Sequence, residues 1–168
     1  MAEIGSKVDP FRLVRAVGEV VTSDELIAEG PVVVHFFPFA FTGSVTAGSG
    51  CEAQVCGFGA RLEEFEALGV RLVAVSHDSP QVLAVWRDRL GQRYEFLSDW
   101  EWQAAGALGV LMEEGLDTFR PLNTRGAFLI DTGGVLRYAF VAEVISQLPP
   151  VDEALEAARG LAAERSGP

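Results

Sequence analysis

Val32, Val33, Val34, Phe36 and Phe37, interrupted only by His35, constrain this chain more than any other feature of it. A short run of β-branched and aromatic side chains with no polar face is the pattern of a strand covered on both sides. Pro38 ends the run, because proline has no N–H to give a sheet ladder. The polar, glycine-rich residues 42–50 cannot pack as a core element and read as a loop, with helical pattern resuming near Cys51. The two cysteines of the chain, Cys51 and Cys56, therefore fall at and just inside a helix start.

That placement has chemical consequences. Free backbone N–H groups and the positive end of the helix dipole stabilise a thiolate, and can bring a cysteine pKa from about 8.5 down to roughly 3.5–7.5. Cys56 offers a second sulfur that could condense with an oxidised Cys51. In an intact helix, however, an i,i+5 pair has its Cα atoms about 8.6 Å apart, beyond the roughly 7 Å reach of a disulfide. A bond between them requires the first turn to unwind, which Gly57 and Gly59 ease, since each glycine costs a helix about 1 kcal/mol relative to alanine.

The remaining punctuation yields alternating elements. Residues 11–22 read as a hairpin broken at Gly18, and Thr22 or Ser23 caps a brief helix that ends at Gly30. The helix after the loop is expected to span residues 51–68, with Leu62, Phe65 and Leu68 on its buried face and Gly69 closing it. Residues 71–76 form another buried strand; Ser79 and Pro80 then start a helix that Gly91 ends. A short strand over 94–99, a helix over 100–110 and an irregular connection over 111–124 follow. Two strands, 125–131 and 135–141, meet at the turn DTGG, and a final helix covers 151–164. Strands alternating with helices and closing on a hairpin plus helix predict an α/β mixed sheet with helices on both faces, built as one domain over residues 1–168.

Composition narrows the function. The 168 residues carry a net charge of −11 and no cluster of Lys and Arg, which argues against a nucleic-acid partner. No apolar run approaches a membrane span and MAEIGSKVDP lacks a signal-peptide core, so a cytoplasmic protein with no membrane partner is expected. In a reducing compartment two cysteines point to catalysis, metal binding or inert burial rather than a permanent cross-link. One cysteine pair and two isolated histidines make a poor zinc pattern, so neither metal nor cofactor is expected.

The segments VVVHFFPFAFTG, CEAQVCGF, EALGVRLVAVSHDSP, FLSDW and TRGAFLIDTGGVLRY, in this order, resemble the peroxiredoxin family over nearly the whole length. Those are thioredoxin-fold enzymes that reduce peroxides through a cysteine. The Cys-x4-Cys spacing is similar to the bacterioferritin-comigratory-protein branch. The resemblance implies Cys51 as peroxidatic residue, Cys56 as resolving residue, and Arg125 as the arginine that holds peroxide and thiolate. It also implies hydrogen peroxide or an organic hydroperoxide as substrate, thioredoxin or a low-molecular-weight thiol as reductant, and a homodimer among the assemblies to consider. The family motif Pro-x-x-x-Thr-x-x-Cys is altered here, since Pro38 and Thr42 are followed by Val45 where the cysteine is expected. About six residues inserted within 44–50 restore the register when the segment is read backwards from Gly69. Thr42 then supplies the pocket hydroxyl, or Thr46 or Ser49 replaces it; spacing does not choose between them.

Other assignments stay open at the level of sequence. Either cysteine is also compatible with an inert thiol, and Arg125 with a structural ion pair. His35 reads as a hydrogen-bonded core histidine, and His77 as a residue at a strand end without a catalytic task. Trp100, Trp102 and Phe119 fit a substrate loop, a dimer contact or core packing. Two alternative classes are a related fold turned to other thiol chemistry in a specialised pathway, and a non-catalytic thioredoxin-fold scaffold.

Overall fold

The computed structural model describes residues 2–42 and 50–167. Strands β1 (Arg12–Ala16) and β2 (Glu19–Thr22) form the N-terminal hairpin, and helix α1 (Ser23–Ile27) follows at once. A capping box starts α1: Thr22 Oγ1 accepts the Glu25 N–H at 3.2 Å while Glu25 Oε2 accepts the Thr22 N–H at 2.8 Å. Next come β3 (Val32–Phe36), α2 (Cys51–Gly59), α3 (Leu62–Ala67), β4 (Arg71–Ser76) and α4 (Pro80–Arg89). Ser79 caps α4 through the Val82 N–H, with Pro80 in the first turn where its missing N–H costs nothing. The chain finishes with β5 (Glu95–Ser98), α5 (Gln103–Leu108), β6 (Leu111–Met112), β7 (Leu122–Asn123), β8 (Gly126–Ile130), β9 (Leu136–Val141) and α6 (Val151–Arg165).

Seven strands make one mixed sheet in the order β2-β1-β5-β4-β3-β8-β9. β3 pairs in parallel with β4 and antiparallel with β8, placing His35 opposite Ala74 on one side and Ala127 on the other. Side chains alternate across a strand, so Val33 and Phe37 enter one core with Phe58, Phe65, Trp86 and Leu155 from α2, α3, α4 and α6. Val32, Val34 and Phe36 enter the opposite core with Leu26 from α1 and Leu108 from α5. Each fully buried phenylalanine, Phe58 and Phe65 included, contributes about 1.5–3 kcal/mol. This is the thioredoxin-like α/β arrangement with helices on both faces.

Three elements differ from the expected boundaries. The helix expected over 51–68 is two helices, because the Arg61 N–H turns back to the Phe58 carbonyl at 3.0 Å and Arg61, at φ −109° and ψ 9°, leaves helical geometry. The helix expected over 100–110 is shortened at its start, where buried Asp99 accepts the Ala104 and Ala105 N–H groups at 3.1 and 2.7 Å. The irregular stretch 111–124 contains a two-stranded ribbon, with Leu111 paired to Asn123. No helix among the described residues is long and apolar enough to cross a membrane.

Candidate active site

Cys51 is the first residue of α2, preceded by Gly50 at φ 94°, so its sulfur stands at the end of the helix where the backbone N–H groups have no partner within the helix. The side chain is only 2% exposed and faces the core that contains Phe37, Ala40, Val55 and Phe58. Arg125 approaches it from the other side. It precedes β8, which the antiparallel register with β3 brings level with the end of the central strand. Its Nη1 lies 3.5 Å from Cys51 Sγ. The same nitrogen donates to Gln54 Oε1 at 2.9 Å, and Nε donates to the Ile145 carbonyl. A buried guanidinium held at three points is a fixed positive charge beside a sulfur.

The surroundings of the strand end are pinned by polar groups. Asn123 Nδ2 donates to the Phe37 carbonyl at 2.9 Å, joining β7 to the residue where β3 stops. The Ala40 N–H donates to Asp78 Oδ2 at 2.8 Å, and Ser76 Oγ donates to the same oxygen at 2.7 Å. The segment carrying buried Pro38 is thereby tied to the end of β4. Thr42 is exposed, and among the described residues its hydroxyl makes no hydrogen bond to Cys51. Thr46 and Ser49, with the additional residues expected within 44–50, lie outside the described residues apart from Gly50.

Cys56 has a different environment. It lies one and a half turns along the same helix, half-buried, with the Gln92 amide 3.7 Å from its sulfur. Burial raises its pKa, and the nearby Glu52 carboxylate raises it further. Both cysteines are free thiols. The guanidinium of Arg125 therefore stands beside Cys51, whereas the Glu52 carboxylate acts on Cys56. Among the described residues no group of three or more His, Cys, Asp or Glu side chains is placed to hold a metal ion.

The other residues singled out by sequence divide clearly. His35 is fully buried and hydrogen-bonded, its Nε2 3.1 Å from Tyr94 Oη and its Nδ1 3.2 Å from Gln54 Nε2. His77 faces the Asp99 carbonyl at 3.2 Å and stacks on Trp102 with ring centroids 3.9 Å apart. Trp100 and Phe119 are exposed, so core packing does not account for them; Phe119 instead leans on Phe39 at 4.8 Å. Gln54 and Asn123 are not among the residues that the sequence singles out. Gln54 had a signal, its i,i+3 spacing from Cys51 on the first helical turn, which places the two on one face.

A thioredoxin-like sheet that delivers a cysteine at a helix start with an arginine beside its sulfur is a framework suited to thiol chemistry. The AhpC/TSA family model matches residues 4–139. The putative peroxiredoxin Rv2521 of Mycobacterium tuberculosis is 31% identical over 132 residues, 77% of this chain and 79% of that protein. Peroxiredoxin Bcp of Escherichia coli K12 is 30% identical over 111 residues, 65% of this chain and 67% of that one. The crystal structure of peroxidoxin BcpB from M. tuberculosis superposes with a TM-score of 0.79 at 27% identity, covering 96% of this chain and 99% of that one. M. tuberculosis AhpC shares the fold, with a TM-score of 0.76 at 22% identity over 99% of this chain and 97% of its own. The chain belongs to the AhpC/TSA family of peroxiredoxins and is a thiol-dependent peroxidase, acting on a peroxide and taking its electrons from a thiol.

Proposed function

We propose that Cys51 is the peroxidatic nucleophile and Cys56 the thiol that resolves it. The observation that carries this reading is the 3.5 Å approach of Arg125 Nη1 to the Cys51 sulfur at the start of α2. The Cys51 thiolate attacks the terminal oxygen of hydrogen peroxide or an organic hydroperoxide. A sulfur–oxygen bond forms, the oxygen–oxygen bond breaks, and hydroxide or alkoxide leaves with the electron pair. Arg125 and the free N–H groups of the first turn stabilise the charge that develops on the leaving oxygen. We assign Pro38 and Thr42, which follow the central strand where the loop begins, to the peroxide pocket, with Thr46 and Ser49 as the other hydroxyl candidates.

The product is Cys51 sulfenic acid. The Cys56 thiol condenses with it, a disulfide forms and water leaves. Thiol–disulfide exchange then restores both cysteines, with one dithiol of the thioredoxin class oxidised to its disulfide or two equivalents of a low-molecular-weight thiol of the cytoplasm joined into one. The chain works alone or as a homodimer in this scheme, since Cys51, Cys56 and Arg125 all come from one copy.

Peroxide consumption with a dithiol reductant tests the assignment. Cys51→Ser is expected to abolish turnover. Cys56→Ser is expected to consume about one equivalent of peroxide per chain before cycling with a thioredoxin-type donor stops. Turnover retained by Cys51→Ser overturns the assignment.

A further inference from the structure

Behind Arg125 runs a chain of buried hydrogen bonds whose direction is fixed throughout by one donor. The Tyr94 hydroxyl donates to the Val55 carbonyl at 2.8 Å, so its oxygen presents lone pairs to His35 Nε2, 3.1 Å away. That ring nitrogen must carry the proton, and Nδ1 is left as an acceptor. Gln54 Nε2 points at Nδ1 from 3.2 Å and spends its other hydrogen on the Phe36 carbonyl at 2.8 Å. With both amide hydrogens directed to one side, Oε1 faces Arg125 Nη1 at 2.9 Å. Arg125 Nη1 in turn reaches Cys51 Sγ at 3.5 Å. Tyr94, His35, Gln54 and Arg125 are all buried, so no surrounding water substitutes for a lost partner without cost.

We propose that His35 is a positioning residue of the peroxidase reaction, which as the neutral Nε2–H tautomer holds the Gln54 amide with its oxygen toward Arg125 and so keeps the guanidinium beside the Cys51 sulfur. The inference rests on the reading of Cys51 as the reacting sulfur. It assigns an imidazole a task that a hydrocarbon ring of the same size cannot perform, because only a ring nitrogen without a proton accepts the second Gln54 hydrogen. An imidazolium would oppose N–H to N–H at Gln54 and add a like charge behind Arg125. Burial guards against that state: it pushes the His35 pKa down to about 3, leaving the ring neutral at physiological pH. The ring is held in plane by stacking on Phe58, with centroids 4.2 Å apart and planes 10° from parallel.

His35→Phe preserves that stacking and removes both nitrogens. The test uses the full chain carrying Cys56→Ser, so that one thiol is read, and measures iodoacetamide alkylation of Cys51 against pH together with the single-turnover rate with hydrogen peroxide. With the fold verified by near-ultraviolet circular dichroism, His35→Phe is expected to lower alkylation at pH 6 and the peroxide rate by about five- to tenfold, the size of one weakened buried hydrogen bond. Unchanged rates and an unchanged pH profile overturn the proposal. Should the variant not fold, nitrogen-15 NMR of histidine-labelled chain with native His35 decides: an Nε2–H tautomer at pH 7 supports the relay, and an Nδ1–H tautomer or an imidazolium overturns it. The two readings fail separately. If Cys51 ignores peroxide but its alkylation still depends on His35, the peroxidase assignment falls and the relay stands.

Discussion

Gln54 Oε1 accepts a hydrogen bond from Arg125 Nη1, the same nitrogen that approaches the Cys51 sulfur. The guanidinium is thus aimed by a residue on the helix that carries the cysteine, and movement of α2 away from β8 takes Gln54 and the Cys51 sulfur from it together. Helix start, sulfur and cation form one mechanical unit.

Arg125 cannot be replaced by a point charge. Arg125→Lys keeps the charge but cannot reproduce bonds to Gln54, the Ile145 carbonyl and Cys51 at once. The peroxide rate constant is expected to fall by at least about tenfold in Arg125→Lys and by about 10²-fold or more in Arg125→Met. Arg125→Met also leaves buried Gln54 Oε1 unpaired, a loss of about 1–3 kcal/mol in denaturant unfolding.

Stability should fall in mild acid because of His35. Its folded-state pKa of about 3 lies below the ordinary value near 6.5. Between those limits the unfolded chain binds a proton that the folded chain refuses. The contribution is therefore complete above about pH 6.5 and is lost progressively as pH falls toward 3. Linkage puts the loss between pH 7 and 4.5 at roughly 2–3 kcal/mol. Denaturant melts at the two pH values should show that difference in the native chain and a correspondingly smaller one in His35→Phe; equal differences would contradict it.

Gly126 marks where β8 begins beside Arg125, and there is no room for a larger residue. A Cβ at this position would lie 2.8 Å from both Phe128 Cε2 and Val110 Cγ1. Gly126→Ala is expected to cost about 1–3 kcal/mol through overpacking, and to slow the peroxide reaction by displacing the neighbouring guanidinium. Thermal melting and the single-turnover rate check both effects.

Formation of a Cys51–Cys56 disulfide must open α2, since both residues lie within one helical element whose geometry holds them too far apart. Gly57 and Gly59 precede the break at Arg61, so the opening has a short, weak segment to act on. Hydrogen exchange should show amides of Gln54–Gly59 losing protection on oxidation while those of β3 and β4 keep theirs. Full protection in a chain with the disulfide formed contradicts this.

The sequence shows most of the frame, because its signals are local. The apolar run at Val32–Phe36, interrupted only by His35, announces a covered central strand, and Thr22 and Ser79 mark two helix starts by their capping oxygens. The split at Arg61 has no such signal: it follows from backbone bonds, with neither proline nor glycine at the junction itself. The ribbon of Leu111–Met112 with Leu122–Asn123 is too short for any periodicity to register. Motif order singles out Cys51 and Arg125 as candidates, whereas the contacts of His35, Gln54 and Asn123 cross 19, 71 and 86 residues of chain that only the folded sheet brings together.

The most direct test of the account is to treat Cys56→Ser with one equivalent of hydrogen peroxide, trap sulfenic acid with a dimedone probe, and map the adduct by mass spectrometry in chains with Arg125 and with Arg125→Met. The account predicts a near-stoichiometric adduct on Cys51 that forms at least about 10²-fold more slowly without the guanidinium. No adduct on Cys51, or one that forms at the same rate in both chains, would contradict it.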